Sequence, residues 1–215
     1  MTNGNARRAM ITGAVFAAAL GVTSPGSAST QAADFDNMYP TEHTSWVCRD
    51  QKFSINAKFC QTDNSTLTVW RQDSISIKQG RQNIAAVLKT EFHEGTDLTV
   101  KFVRKPVYAG SKETDVIYQK AKDPKKELPG LQALTWCNDA VNDTRCDQHY
   151  VRFHTAWPSK TLVCHETGHA VGLTHGSNAS PRVKIDDYRL ACMRYPFTAG
   201  AYLGAHNVKM INKTY

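Results

Sequence analysis

One eleven-residue stretch, His165-Glu166-Thr167-Gly168-His169-Ala170-Val171-Gly172-Leu173-Thr174-His175, restricts the folding of this chain more than any other. Residues four apart on a helix lie one above the other, so a helix carrying His165 and His169 aims two imidazoles at one point. Gly172 lacks a Cβ, can adopt a positive φ, and so ends the helix and turns the chain back. The turn brings His175 in as a third nitrogen. Zinc accepts imidazole nitrogen at about 2.0–2.1 Å, and a catalytic zinc site keeps one coordination position for water. Glu166 lies beside His165 on the helix, close enough to touch that water without being an obvious ligand. The rival reading, three histidines lining a polar surface, leaves the spacing of five fixed positions unexplained.

The N-terminus supplies the address. Arg7 and Arg8 form a positive segment, Ala9 to Val22 is apolar and Ala-rich, and small residues from Ser24 to Ala33 offer A-x-A-like cleavage points. Residues 1–33 therefore read as a secretory signal peptide. A membrane anchor is the alternative, but the stretch falls short of the roughly 18–20 apolar residues that a span needs. A secreted protein is expected, with 34–215 as a single catalytic domain. Without residues 1–33 the formal charge of +7 falls to 24 − 19 = +5. The remaining lysines and arginines are scattered and form no basic run with interleaved aromatics, so a solvated face is expected rather than a nucleic-acid or membrane surface. Six cysteines follow, Cys48, Cys60, Cys137, Cys146, Cys164 and Cys192. An even count in an exported chain reads as a disulfide framework, and no C-x-x-C spacing offers a cysteine metal site. Loop closure favours Cys48–Cys60 and Cys137–Cys146, leaving Cys164 with Cys192.

Periodicity sketches the remainder. Asp34 to Asp63 is polar and irregular. Leu67 to Trp70 alternates and is β-branched, as a strand should be. Ile84, Val87, Leu88 and Phe92 mark one helix face within 81–92, with Gly95 as a stop signal. Strand-like segments follow at 98–102, 115–119, 131–136 and 149–154. Pro158-Ser159 opens a second helix that Gly172 ends, and Val208, Ile211 and Tyr215 mark a third. The expectation is an α+β fold, a sheet with helices packed on it.

His165 to His175, followed by Cys192-Met193-Arg194-Tyr195-Pro196, resembles the signature of the metzincin zinc peptidases, H-E-x-x-H-x-x-G-x-x-H and a methionine-containing turn. The resemblance implies a twisted five-stranded mixed sheet, two long helices including the active-site helix, the Met-turn and a C-terminal helix. It implies that Met193 packs beneath the metal site as support. For Tyr195 it leaves two roles open: a metal ligand or transition-state stabiliser, or, with Pro196 and Phe197, a wall of the substrate pocket. It further implies that an edge strand, here around Leu131 to Trp136, pairs with extended substrate. In size and export signal the chain is similar to the small secreted bacterial members, the snapalysin-like enzymes. Those typically carry aspartate where this chain has His175.

The function expected is that of a secreted, monomeric zinc endopeptidase acting on protein or peptide. His165, His169 and His175 hold one Zn²⁺, and Glu166 serves as general base. Two alternatives stand beside it: a non-catalytic binding protein on a metzincin-like scaffold with zinc as a staple, and a zinc amidase acting on cell-wall peptides. A structural zinc is usually closed by four protein ligands and needs no general base, which weighs against the first. Asn138, Asp139, Asn142, Asp143 and Asp147 offer oxygens of the kind Ca²⁺ takes, although a polar loop stapled by Cys137 and Cys146 explains them more simply. His149 and His154 are a candidate second metal pair.

Overall fold

Alternating apolar residues make the sheet. In the strand β2 (Thr66–Arg71) of the computed structural model, Leu67 and Val69 point into the core while Thr66 and Thr68 do not. The structure describes residues 34–76, 78–110, 112–197 and 200–215; the expected export signal, 1–33, lies outside them. Asp34–Tyr215 clusters as one unit. Before β2 comes a two-residue strand β1 (Gln61–Thr62), and after it α1 (Gln79–Val87), β3 (Thr99–Phe102), β4 (Val116–Lys120), a short α2 (Pro124–Glu127), β5 (Ala133–Ala140), β6 (Arg145–Phe153), α3 (Lys160–Ala170) and α4 (Gly204–Thr214). The helix expected over 81–92 is α1 plus a wider π-type continuation over Leu88–His93, closed by Glu94 N–H donating to the Lys89 carbonyl.

The result is an α+β fold around a six-stranded, mostly parallel sheet. β3, β2, β4 and β6 lie side by side in parallel, and β1 pairs in parallel with the first two residues of β6. β5 runs antiparallel to β6 and pairs with no other strand among the described residues. The expectation of five strands is corrected by β1, which joins Gln61 to Arg145 and Thr62 to Cys146. Two residues are too few to show a period, so this strand exists only through its tertiary pairing. α2 escapes for the same reason. β5 starts later than the expected 131–136, after Gly130 takes a φ of 76°, and it continues to Ala140.

One core joins the sheet to its helices. Leu67, Val69, Val116, Tyr118, Val151 and Phe153 meet Ile84, Val87, Leu88, Phe92, Leu162 and Val163, all buried. Full burial of side chains of this kind contributes about 1.5–3 kcal/mol each relative to exposure. α3 begins at Ser159, whose hydroxyl accepts the Leu162 N–H at 3.2 Å and so caps the first turn. It is then pinned to the sheet: the Thr167 and Tyr118 hydroxyls lie 2.7 Å apart in the core.

The cysteines pair as loop closure suggests: Cys48–Cys60, Cys137–Cys146 and Cys164–Cys192. The first two pack together with Tyr39 in a small second core, against Trp46. Three disulfides fit an extracellular protein, and no described helix is long and apolar enough to cross a membrane.

Candidate metal centre

α3 carries His165 and His169 on one face, as the i, i+4 spacing requires. After α3, Gly172 adopts a φ of 97° and turns the chain. A Cβ there would stand 2.9 Å from both Met38 Sδ and Gln61 Cγ, so the turn needs glycine for its conformation and for its space. Beyond it the Thr174 N–H and hydroxyl donate to the Asn37 carbonyl, which fixes the segment leading to His175. The Nε2 atoms of His169 and His175 lie 3.1 and 3.0 Å from that of His165. All three side chains are buried or nearly so.

The second nitrogen of each helical histidine explains what the first can do. His165 Nδ1 lies 2.8 Å from the Cys192 carbonyl, and His169 Nδ1 lies 2.8 Å from the Leu173 carbonyl. A carbonyl only accepts, so both Nδ1 atoms carry the proton. Burial also pushes His165 down to about 3, His169 well below its usual range and His175 to about 4, so the rings are neutral. The Nε2 atoms of His165 and His169 are therefore bare lone pairs facing each other at 3.1 Å, with His175 closing the group. Such an arrangement repels itself unless a cation sits between. Three nitrogens around one tetrahedral ion, each about 2.0–2.1 Å from it, stand roughly 3.4 Å apart. The residues present fit a metal ion.

The surrounding side chains hold these rings in place. Phe59 stacks on His169 with centroids 4.3 Å apart, and Phe197 meets His165 edge-on at 4.8 Å. Met193 is fully buried beneath α3. A Cβ on Gly168 would stand 2.3 Å from its sulfur, so glycine here lets the methionine lie directly under the helix. The Cys164–Cys192 bond ties α3 to the turn over Tyr188–Met193, where Ala191 has a φ of 47°. That bond also places the Cys192 carbonyl against His165.

Glu166 is 4% exposed, and its Oε2 accepts the Thr135 hydroxyl at 2.6 Å. Burial pushes its carboxyl up to about 7, against the pull of that hydrogen bond. It lines a cleft of about 320 Å³ with the three histidines, the 130–135 segment, Trp46, Phe59, Tyr195 and Phe197. Tyr195 is half exposed and packs edge-on to Phe197, 5.6 Å between centroids. Thr135, Phe59 and the Cys192 carbonyl come from segments far from the histidine motif, and no local spacing marks them.

Other candidates fare differently. His149 does not join His154: it is buried beside the disulfides, where its Nε2 accepts the Cys60 N–H at 3.4 Å and burial lowers it to about 3. His154 is exposed. Of the 138–147 oxygens, Asn138, Asn142 and Asp143 do not converge, whereas Asp147 meets Asp63 and Asp115. Asn142 Oδ1 accepts from the Thr144 and Arg145 N–H groups as a turn cap, Asn138 reaches Gln148, and Asp143 is exposed. No family model matches the chain, and no curated protein matches it.

Proposed function

We propose that the chain is a secreted zinc endopeptidase of the metzincin type that its His165–His175 stretch resembles. The observation that carries this reading is the convergence of three neutral imidazoles beside a buried carboxylate, at the floor of a cleft bordered by a strand edge. The Nε2 atoms of His165, His169 and His175 would hold Zn²⁺, which would supply an acidified water with a pKa near 7 and a Lewis acid for a carbonyl. The Nδ1–H bonds to Cys192 and Leu173 keep two of the rings aimed at one point.

Glu166 does the proton work. Its carboxylate takes a proton from the attacking water as the water oxygen bonds to the scissile carbonyl carbon, and returns it to the amine as the C–N bond breaks. The Thr135 hydroxyl fixes the orientation of Oε2. β5 pairs only with β6 among the described strands, and the segment from Gly130 to Thr135 lines the cleft. An extended peptide adding to that edge gains main-chain hydrogen bonds irrespective of sequence. Tyr195 and Phe197 stand as a wall of the cleft, which favours the pocket-wall role for Tyr195.

The test is reconstitution. Secreted protein, stripped with a chelator and given one equivalent of Zn²⁺, is expected to regain hydrolysis of an unfolded protein, with cleavage sites read by mass spectrometry. One tightly held zinc with no turnover on any substrate would replace this reading with the binding-protein one. Turnover of peptidoglycan alone would replace it with the amidase.

A further inference from the structure

Away from the histidines, the molecule gathers negative charge that nothing in the proposed reaction uses. Asp63 follows β1, Asp115 precedes β4, and Asp147 lies near the start of β6. One carboxylate oxygen from each lies within 4.8 Å of the others. Two more acids extend the group. Burial raises the Glu113 carboxyl, and the charges of Asp139 and Asp147 raise it further; burial likewise raises Asp147, with Asp63 and then Asp139 adding to it. Five of the chain's 19 acidic residues thus meet in a protein whose net charge is positive.

None of the five carboxylates forms an ion pair among the described residues. The guanidinium of Arg145 is nearby, but it donates to the main-chain carbonyl of Asp63. Asp115 is 3% exposed and its Oδ2 accepts the Thr68 N–H at 2.6 Å and the Thr68 hydroxyl. That leaves its other oxygen for the group. The most telling atom is Glu113 Oε2. The residue is 5% exposed, and this oxygen is buried with no hydrogen-bond partner, while the carboxyl hydrogen-bonds Asp139 and feels the charge of Asp147. A buried carboxylate oxygen without a donor costs free energy that a neighbouring carboxylate only increases.

We propose that these residues form a calcium site: Asp63, Asp115 and Asp147 are the direct ligands, and Glu113 and Asp139 are the adjoining charges that complete it. Oxygens at 2.3–2.6 Å from one Ca²⁺ are at most about 5 Å apart, and the ion takes six to eight of them with loose angular demands. Three carboxylates and the water admitted by the partly exposed Asp63 and Asp147 meet that requirement. An all-oxygen set with no nitrogen or sulfur is a poor match for zinc. This site is separate from the histidine centre and does not depend on the peptidase reading. Its consequence is mechanical, since an ion here links the end of β1 to the beginnings of β4 and β6, segments far apart in sequence.

The test is calorimetric titration of CaCl₂ into the zinc-loaded protein, paired with thermal unfolding. One calcium per chain is expected. At a hundredfold excess of Ca²⁺ over Kd the unfolding midpoint should rise by about 7 °C, and equal Mg²⁺ should do much less. Asp147→Asn and Asp63→Asn should each weaken calcium binding tenfold or more. In calcium-free buffer both should unfold no earlier than wild type, because each relieves repulsion, so a folding failure cannot mimic the effect. No calcium binding at millimolar concentration, an equal response to Mg²⁺, or binding unchanged in both variants would overturn the site.

Discussion

At the scale of single residues, the histidine centre depends on two glycines for different reasons. Gly172 is needed for its positive φ, which the motif already suggests. Gly168 is needed for its missing Cβ, and only the packed structure shows why: the sulfur of Met193 fills that place. Gly168→Ala is therefore expected to overpack the contact and destabilise the protein by about 1–3 kcal/mol. Met193→Ala, which leaves a cavity, should cost about 2–5 kcal/mol. Combining them should recover part of the loss, because the added methyl enters the space the methionine vacates. Urea unfolding of the four proteins checks this coupling, and strictly additive losses would mean that Gly168 and Met193 do not press on each other.

At the scale of elements, the decisive unit is α3 together with the turn that holds Met193. α3 contributes two imidazoles and Glu166, while the turn contributes the Cys192 carbonyl that fixes His165. The Cys164–Cys192 disulfide joins them across a separation of 28 residues. The double variant Cys164→Ala/Cys192→Ala should lose about 2–4 kcal/mol of stability. It should also bind zinc about tenfold more weakly, because the carbonyl is no longer held against Nδ1. Unfolding curves and competition with a chromophoric chelator measure the two effects separately. Lost stability with unchanged zinc affinity would show that the disulfide braces the fold without positioning the ligand. β5 matters in a second way, since it supplies Thr135 to Glu166 and an edge to the cleft.

At the scale of the whole molecule, what was legible in the sequence is what local geometry encodes. The order of β2 to β6 around α1, α3 and α4 follows from alternation and from the 3.6-residue period, and the three histidines follow from helical spacing plus a glycine turn. The disulfide pairs follow from loop length. What was not legible depends on distant segments meeting. β1 exists only beside β6, Phe59 reaches His169 from the irregular N-terminal region, and Asp63, Asp115 and Asp147 converge only when the strands align. The acids around 138–147 look like an oxygen-rich loop in sequence, yet the sheet directs Asp139 and Asp147 towards Glu113 and Asp63 and turns the others away.

A proton carried by Glu166 during peptide hydrolysis can be removed from the reaction without removing the metal. Wild type and Glu166→Gln, each loaded with one equivalent of zinc and matched in zinc content, are assayed on the same unfolded protein. Glu166→Gln is expected to retain the metal and lose hydrolysis by a factor of about 10²–10⁴. Hydrolysis at the wild-type rate by the zinc-loaded variant would contradict the role of Glu166 as proton carrier.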